Sequence, residues 1–409
     1  MYLPRHLEGK VAHLSQKFKS VLVLGARQVG KTTLLKHLFP SARYFVFDPT
    51  RDLYNARIDP DLFLKSYLPP LVLDEVQYVP EVLSALKRFM DNREEKGQYF
   101  LTGSQNFAAL KQVSESLAGR VVIVELDPLS IYELAQVPSS QSWLHHYMTS
   151  PESLLSKPTQ TLNLDLLEIL WRGTYPGTLD LALSDYGDFF HSYLQTYVER
   201  DVRNLTNVRD LTEFTRFASL QAALTAQEVN AAFLGREIGI SPQTAQNWQY
   251  ALQNSYQLIV IPAYSGNLLK RLSQKSKAYW SDTGFACHLM RINSPDALLG
   301  HPAFGHLYET FCVNQILRLL KATGKPFNVY HWRTGNGAEV YLIIEMDGIY
   351  YPIKFKASTN PTPRHTRGIA QFCADYPHLN IAPGVIVHGG DQAYKLSENI
   401  YAVPWGMVM

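Results

Sequence analysis

The sequence predicts the α/β class: a mostly parallel sheet with helices on both faces, then a helical, winged-helix-like region, then a smaller α/β region. Three observations predict it. Between residues 20 and 126, short apolar, β-branched runs alternate with stretches of helical spacing, the pattern of a parallel sheet covered on both sides. Within the first repeat, Gly25-Ala26-Arg27-Gln28-Val29-Gly30-Lys31-Thr32 satisfies G-x-x-x-x-G-K-[ST] in full. Beyond residue 205 the chain reads as helix, tight turn, helix, and later as two strands joined at Asp347-Gly348.

The first strand is Ser20-Val21-Leu22-Val23-Leu24, and Thr33-Leu34-Leu35-Lys36-His37-Leu38 continues as a helix that stops before Pro40. Strand, glycine loop and helix are the context in which this motif cradles phosphate, because successive backbone N–H groups and the helix N-terminus face the anion. The expected nucleotide contacts are Gly25, Ala26, Arg27, Gln28, Val29, Gly30, Lys31, Thr32 and Thr33. Lys31 would reach the β- and γ-phosphates and Thr32 would offer its hydroxyl to Mg²⁺. This is the layout of a P-loop NTPase. Four further strand runs follow at Arg43–Asp48, Leu71–Val76, Tyr99–Thr102 and Val121–Leu126, with a helix expected over Pro80–Asn92.

Leu71-Val72-Leu73-Asp74-Glu75 sets two carboxylates at a strand tip. Asp74 is the expected Mg²⁺ ligand and Glu75 the group that polarises the attacking water. Thr102 and Ser104, in Leu101-Thr102-Gly103-Ser104-Gln105-Asn106, are both candidates for sensing the γ-phosphate. Arg120, in Ser116-Leu117-Ala118-Gly119-Arg120, reads equally as an arginine finger, in its own subunit or a neighbour's, and as a solvated arginine. Taken in order, GARQVGKTTLL, LVLDEVQ, LTGSQN and SLAGRV resemble the AAA-type ATPase domain of a large prokaryotic family with a C-terminal region of undefined role. The resemblance implies ATP as the nucleotide, and a sheet in which the strand bearing Asp74 does not adjoin the strand before the loop.

At 409 residues the chain exceeds a single core. Breaks at Pro138–Ser142 and Ser294-Pro295 suggest an ATPase domain over 1–138, a helical connector over 139–204, a winged-helix-like region over 205–292 and a final region over 293–409. With 46% apolar and 18% charged residues the composition is that of a globular protein. No apolar run approaches the roughly 20 residues that span a bilayer, and Met1–Leu7 lacks the apolar core of a secretion signal. Three cysteines far apart in sequence suggest neither metal nor disulfide framework. A cytoplasmic protein without a membrane partner is expected.

Phe190, Tyr193 and Tyr197 share one helical face and read as core. Glu199-Arg200-Asp201, in a run resembling the start of the family's C-terminal region, reads as local ion pairing. Helices over Gln227–Ile238 and Gln243–Ser255, with Ser241 as cap and Pro242 in the first turn, form a helix-turn-helix layout. The second helix offers Gln243, Gln246, Asn247, Trp248, Gln249 and Gln253 but no cation. Phosphate neutralisation would therefore fall to Lys270, Arg271, Lys275 and Lys277. DNA through those four residues is one reading, and internal packing or contact with an unidentified protein partner is the other.

A helix around His306–Leu320 precedes strands Val340–Glu345 and Ile349–Phe355. This layout resembles the restriction-endonuclease-like core that closes the same ATPase family, where an Asp and the Glu of a Glu-x-Lys hold Mg²⁺ and the lysine helps orient the water. Tyr341 stands where the Asp would be and Lys354 where the Glu would be. Only Lys356 matches, with Glu309 as a remnant. A lysine where the metal would sit repels it, so no nuclease activity is expected. Lys354, Lys356, Arg364, His365 and Arg367 read either as a basic patch or as a solvated loop.

Overall fold

In the computed structural model the strand before the glycine motif is β1, Ser20–Leu24, buried at each of its five positions. The structure describes residues 2–105, 117, 119–155, 160–197, 202, 211–267, 269, 271 and 274–409. Asn106, Ser116, Ala118, Glu199, Arg200, Asp201 and Lys270, named above, lie outside that set.

Strands β2 (Arg43–Val46), β3 (Leu71–Asp74), β4 (Tyr99–Gly103) and β5 (Val121–Glu125) join β1 in the order β2-β3-β4-β1-β5. Every neighbouring pair is parallel. β4 lies between β3 and β1, as the resemblance implied. Successive side chains of a strand point to opposite faces, and β1 divides accordingly. Val21 and Val23 enter one apolar cluster, Leu22 and Leu24 the other. β3 ends two residues before its apolar run does, because Glu75 takes a left-handed backbone, φ 59° and ψ 48°. That turn lifts the chain off the sheet toward the helix Pro80–Asp91.

A two-residue strand, β6 (Gln160–Thr161), pairs antiparallel with the last strand of the chain. The helix Tyr186–Tyr197 buries Phe190, Tyr193 and Tyr197 on one face as expected. After Leu211–Ala223 come β7 (Gln227–Glu228), the helices Ala231–Ile238 and Pro242–Asn254, then β8 (Leu258–Ile261) and β9 (Lys277–Trp280). The sequence reading began the first of those helices at Gln227. It begins at Ala231 instead, because the Asn230 side chain caps Phe233 N and Gln227–Glu228 pair with β9. Ser241 caps the second helix through Thr244 N, with Pro242 in its first turn.

The helix Phe304–Thr323 leads into a larger sheet: β10 (Asn328–Arg333), β11 (Glu339–Met346), β12 (Ile349–Lys356), β13 (Asn380–Ile381), β14 (Gly384–His388), β15 (Tyr394–Ser397) and β16 (Ile400–Pro404). Its order is β10-β11-β12-β14-β16-β15, with β13 beside β12. Asp347 and Gly348 both have positive φ, 52° and 77°, the two-residue turn that matches the twist of a hairpin. The chain ends in β17 (Met407–Val408) against β6. A single apolar cluster runs from Val21 and Tyr132 through Trp171, Tyr193, Phe214 and Trp280 to Phe311, Ile344 and Met407. The first sheet and the last therefore share a core. Among the described residues no helix is long and apolar enough to cross a membrane. Cys287 and Cys312 are buried and Cys373 is half-buried, all free.

Candidate nucleotide site

The glycine loop leaves the buried end of β1 and re-enters the helix Lys31–Leu38. Gly25 sits against the next strand's exit: a Cβ there would stand 2.1 Å from Leu126 O, so only glycine fits. Gly30, at φ 94°, starts the helix. Lys31 is buried to 5% exposure and donates to Gly25 O at 2.9 Å and Ala26 O at 2.8 Å. Its ammonium thus lies folded against the loop it would leave to meet phosphate.

Asp74, buried at the tip of β3, is where three elements converge. Thr32 Oγ1 donates to its Oδ2 at 2.8 Å. Thr102 from β4 donates to the other carboxylate oxygen, and Tyr44 from β2 donates to Oδ2 beside Thr32. The hydroxyl of Thr32 and the Asp74 carboxylate form the hard oxygen pair that suits Mg²⁺, so the residues present fit that ion. Burial, then the hydrogen bond to Asp74, pushes the Tyr44 phenol well above its usual range, so it remains a donor.

Glu75 lies one residue further on. Its backbone N–H donates to Thr102 Oγ1 at 3.0 Å, so one threonine fixes both acids. The Glu75 carboxylate accepts from Gln77 Nε2, which also donates to Ser104 Oγ at 3.0 Å. Of the two candidates on β4, Thr102 touches Asp74 directly, and Ser104 meets Glu75 only through Gln77. Tyr44 and Gln77 were not found from the sequence: Tyr44 belongs to no motif and arrives by strand adjacency, and Gln77 closes the run LVLDEVQ but carried no role until the turn after Glu75 brought its amide to that carboxylate. Arg27 is half-buried and donates to Tyr78 OH at 2.6 Å.

Arg120 stands at the end of the strands away from the loop. Val121 is in register with Ser20 at the start of β1, so about 16 Å of strand separates Arg120 from the loop at about 3.3 Å per residue. Its guanidinium binds Asp91, at 2.6 Å and 3.0 Å. The expectation of a finger acting on its own subunit's phosphate is corrected by this geometry.

Beside Gly30 and Thr33 a cavity of about 300 Å³ is walled by Leu3, Leu129, Leu134, Pro176 and Leu179, an apolar slot next to the phosphate loop. Its wall comes from the N-terminal segment and from the turn after Gly173, far apart in sequence. Arg5, also on it, donates to Val29 O at 2.8 Å and Asp127 O at 2.6 Å and pairs with Glu133 at 3.2 Å.

The other predicted contacts fare differently. Arg271 donates to Ser265 O at 3.0 Å and lies over the rings of Tyr264 and Tyr330. Lys277 is buried in an ion pair with Glu309 at 2.9 Å. The four-cation patch expected between residues 270 and 277 is therefore corrected: two of its members are occupied inside the fold, and Lys275 is the exposed one among those described. In the helix Pro242–Asn254, Trp248 packs against Phe214 and Phe217, and Gln249 donates to Gln221. Gln243, Gln246 and Asn247 remain exposed, and Gln253 is half-buried. Among the described residues no cluster of three or more His, Cys, Asp or Glu could hold a metal ion.

Residues 17–135 match the family model of an AAA domain, residues 163–296 a domain of unknown function (DUF8612) and residues 304–408 another (DUF4143). The N-terminal region is an AAA-type P-loop domain joined in one chain to a DUF4143 domain. The chain is 27% identical over 390 residues to the uncharacterised proteins Rv2008c of Mycobacterium tuberculosis and Mb2031c of Mycobacterium bovis, covering 95% of this chain and 80% of each relative. It is similar to the solved Walker-type ATPase PABY2304 of Pyrococcus abyssi, at 14% identity over 69% of this chain and 94% of that one, TM-score 0.40. It is also similar to the RuvB Holliday junction branch migration motor of Thermotoga maritima, at 16% identity over 64% and 90%, TM-score 0.32. At such TM-scores the fold assignment rests on the strand order and register described above.

Proposed function

We propose that the chain is a Mg²⁺-dependent ATPase in which occupancy of the loop Gly25–Thr32 is transmitted to the C-terminal regions. The observation that carries this reading is the convergence of Thr32, Thr102 and Tyr44 on Asp74, with Glu75 held next to it. Lys31 swings from its carbonyl partners to the β- and γ-phosphates, which exchanges two neutral acceptors for charged ones. Thr32 and Asp74 would hold Mg²⁺, which when bound neutralises charge on the phosphate oxygens. Glu75 orients the attacking water and takes its proton, and Gln77 sets where that carboxylate points. The apolar slot by Leu129 and Pro176 receives the base. Arg120, remote from its own loop, serves a neighbouring subunit's nucleotide or remains a structural partner of Asp91.

Transmission has a physical route. Arg5 links the loop carbonyl of Val29 to Asp127, and Asp127 pairs with Lys321 at 2.8 Å on the helix Phe304–Thr323. Arg318 on that helix donates to Leu129 O, Thr174 Oγ1 and Ser281 O. We read residues 211–280 as winged-helix-like, from the order helix, short strand, two helices, two strands. The closing sheet is read as a restriction-endonuclease-like core that has lost its metal acids at Tyr341 and Lys354. DNA or a protein is the partner, and nuclease activity is not part of the proposal. Lys31→Ala removes the phosphate contact, so equilibrium dialysis should find the affinity for ATP lowered by about tenfold or more. Wild-type affinity in that variant would overturn the site.

A further inference from the structure

Where the three-stranded sheet faces β11 and β12, far from the phosphate loop, lies a polar cavity of about 610 Å³. Its walls carry Lys275, Lys277, His306, Tyr341 and Lys356, together with the carboxylates Glu228, Glu309 and Glu339 and the guanidinium of Arg333. Most of that charge is already matched. Glu309 accepts from Lys277 Nζ and from Tyr279 OH, each at 2.9 Å. Glu339 faces Arg333 at 3.9 Å, and Glu228 is exposed to solvent.

Two ammonium groups are left over. Lys354 and Lys356 project from the same face of β12, since residues two apart in a strand share a side. Their Nζ atoms lie 5.4 Å and 5.9 Å from the Tyr341 ring, which Lys277 also approaches at 4.9 Å. Lys354 is 8% exposed, and among the described residues it has no hydrogen bond and no carboxylate partner. A buried ammonium without a counter-charge is costly, and a second lysine beside it adds to the cost. Burial first, then Lys356, pulls the Lys354 pKa below its ordinary value. An anion held in the cavity at Lys356 would offset the positive charge that the two lysines place side by side. A metal ion would do the opposite, because the nearby acids are already paired.

We propose that this cavity is an anion site for a phosphate ester of nucleotide size, delivered as a free nucleotide or as the end of a nucleic-acid strand. Its volume lies within the range of about 300–1,000 Å³ in which small ligands are held. The site does not depend on the ATPase reading: Lys356 and Lys275 on its walls would meet the phosphate, and Lys354, on the same strand face as Lys356 but not on the wall, adds positive charge beside them. The helix Phe304–Thr323 carries His306 and Glu309 at this cavity and Arg318 and Lys321 at the ATPase region, so both sites rest on one rigid element.

The test is isothermal titration of thymidine 5′-monophosphate, thymidine and a 5′-phosphorylated single strand into full-length Lys31→Ala protein, in which the phosphate loop is disabled. The same titrations are made with Lys356→Met added. Thymidine monophosphate should bind the first protein and bind the second about tenfold more weakly, the loss of one charged hydrogen bond, and thymidine should not bind. Lys275→Gln, on the opposite wall, is the second variant should Lys356→Met fail to fold, and it should also weaken binding. If only the strand binds, and does so through Lys356, the phosphate site stands with a strand end as its source. Absence of lysine-dependent binding of either phosphorylated probe, or binding of thymidine as strong as that of its phosphate, overturns the proposal.

Discussion

Asp74 shows how much of the candidate site belongs to one residue and how much to its neighbours. The run Leu-Val-Leu-Asp-Glu is legible in the sequence because strand and acids are contiguous, as is the glycine loop. What holds the acid is not contiguous. Thr32, Tyr44 and Thr102 come from the loop helix, β2 and β4, and a linear sequence cannot say which strands are neighbours. Thr102 is the instructive case, because its hydroxyl donates to Asp74 while accepting from Glu75 N. Thr102→Val keeps the shape and removes both bonds, leaving a buried carboxylate oxygen and an N–H unsatisfied at about 1–3 kcal/mol each. ATP hydrolysis should then fall by about tenfold or more with ATP affinity nearly unchanged. Wild-type turnover in that variant would show that Thr102 does not position the acids.

At the scale of elements, strands with strong apolar runs were readable and those defined by a partner were not. Gln227–Glu228 has no strand signature and becomes one only against β9. Lys277 reads as a surface wing cation until β9 turns it toward Glu309. The seam between β10 and the segment after β8 gives a pH prediction. His331 is buried, and its Nε2 meets Lys275 O at 3.0 Å. Burial holds its pKa at about 4, below the ordinary 6.5, against the backbone bond to Lys275, which raises it. A histidine depressed on folding contributes fully above about pH 6.5 and loses that contribution as the pH falls toward 4, worth about 3 kcal/mol. Burial raises the pKa of Glu309 and Asp282, so those acids act in the opposite sense, favouring the folded state as the pH falls. Urea midpoints at pH 7 and pH 5 should therefore drop less for His331→Gln than for the wild type. Equal drops in both proteins would remove His331 as the cause.

Taken as one molecule, the chain brings its last strand back onto the segment that follows the first sheet. β17 closes on β6, and the helix Phe304–Thr323, 20 residues and so about 30 Å long, runs through the shared core from Arg318 and Lys321 to Glu309. This long-range packing could not be read from the sequence, because Ile131 N to Gln315 Oε1 and Tyr132 OH to Met407 O link residues with no common motif. If that helix transmits nucleotide occupancy, adding Mg-ATP should change hydrogen exchange within Phe304–Thr323 in the wild type and leave it unchanged in Lys31→Ala. Identical exchange with and without ATP in the wild type would argue against transmission. The central claim is that Asp74 and Glu75 form a hydrolytic site, and steady-state phosphate release from Mg-ATP by the wild type and Glu75→Gln tests it most directly. The account predicts turnover in the wild type and a fall of about a hundredfold or more in Glu75→Gln, with ATP binding retained. Equal rates in the two proteins, or no turnover by a wild type that binds ATP, would contradict it.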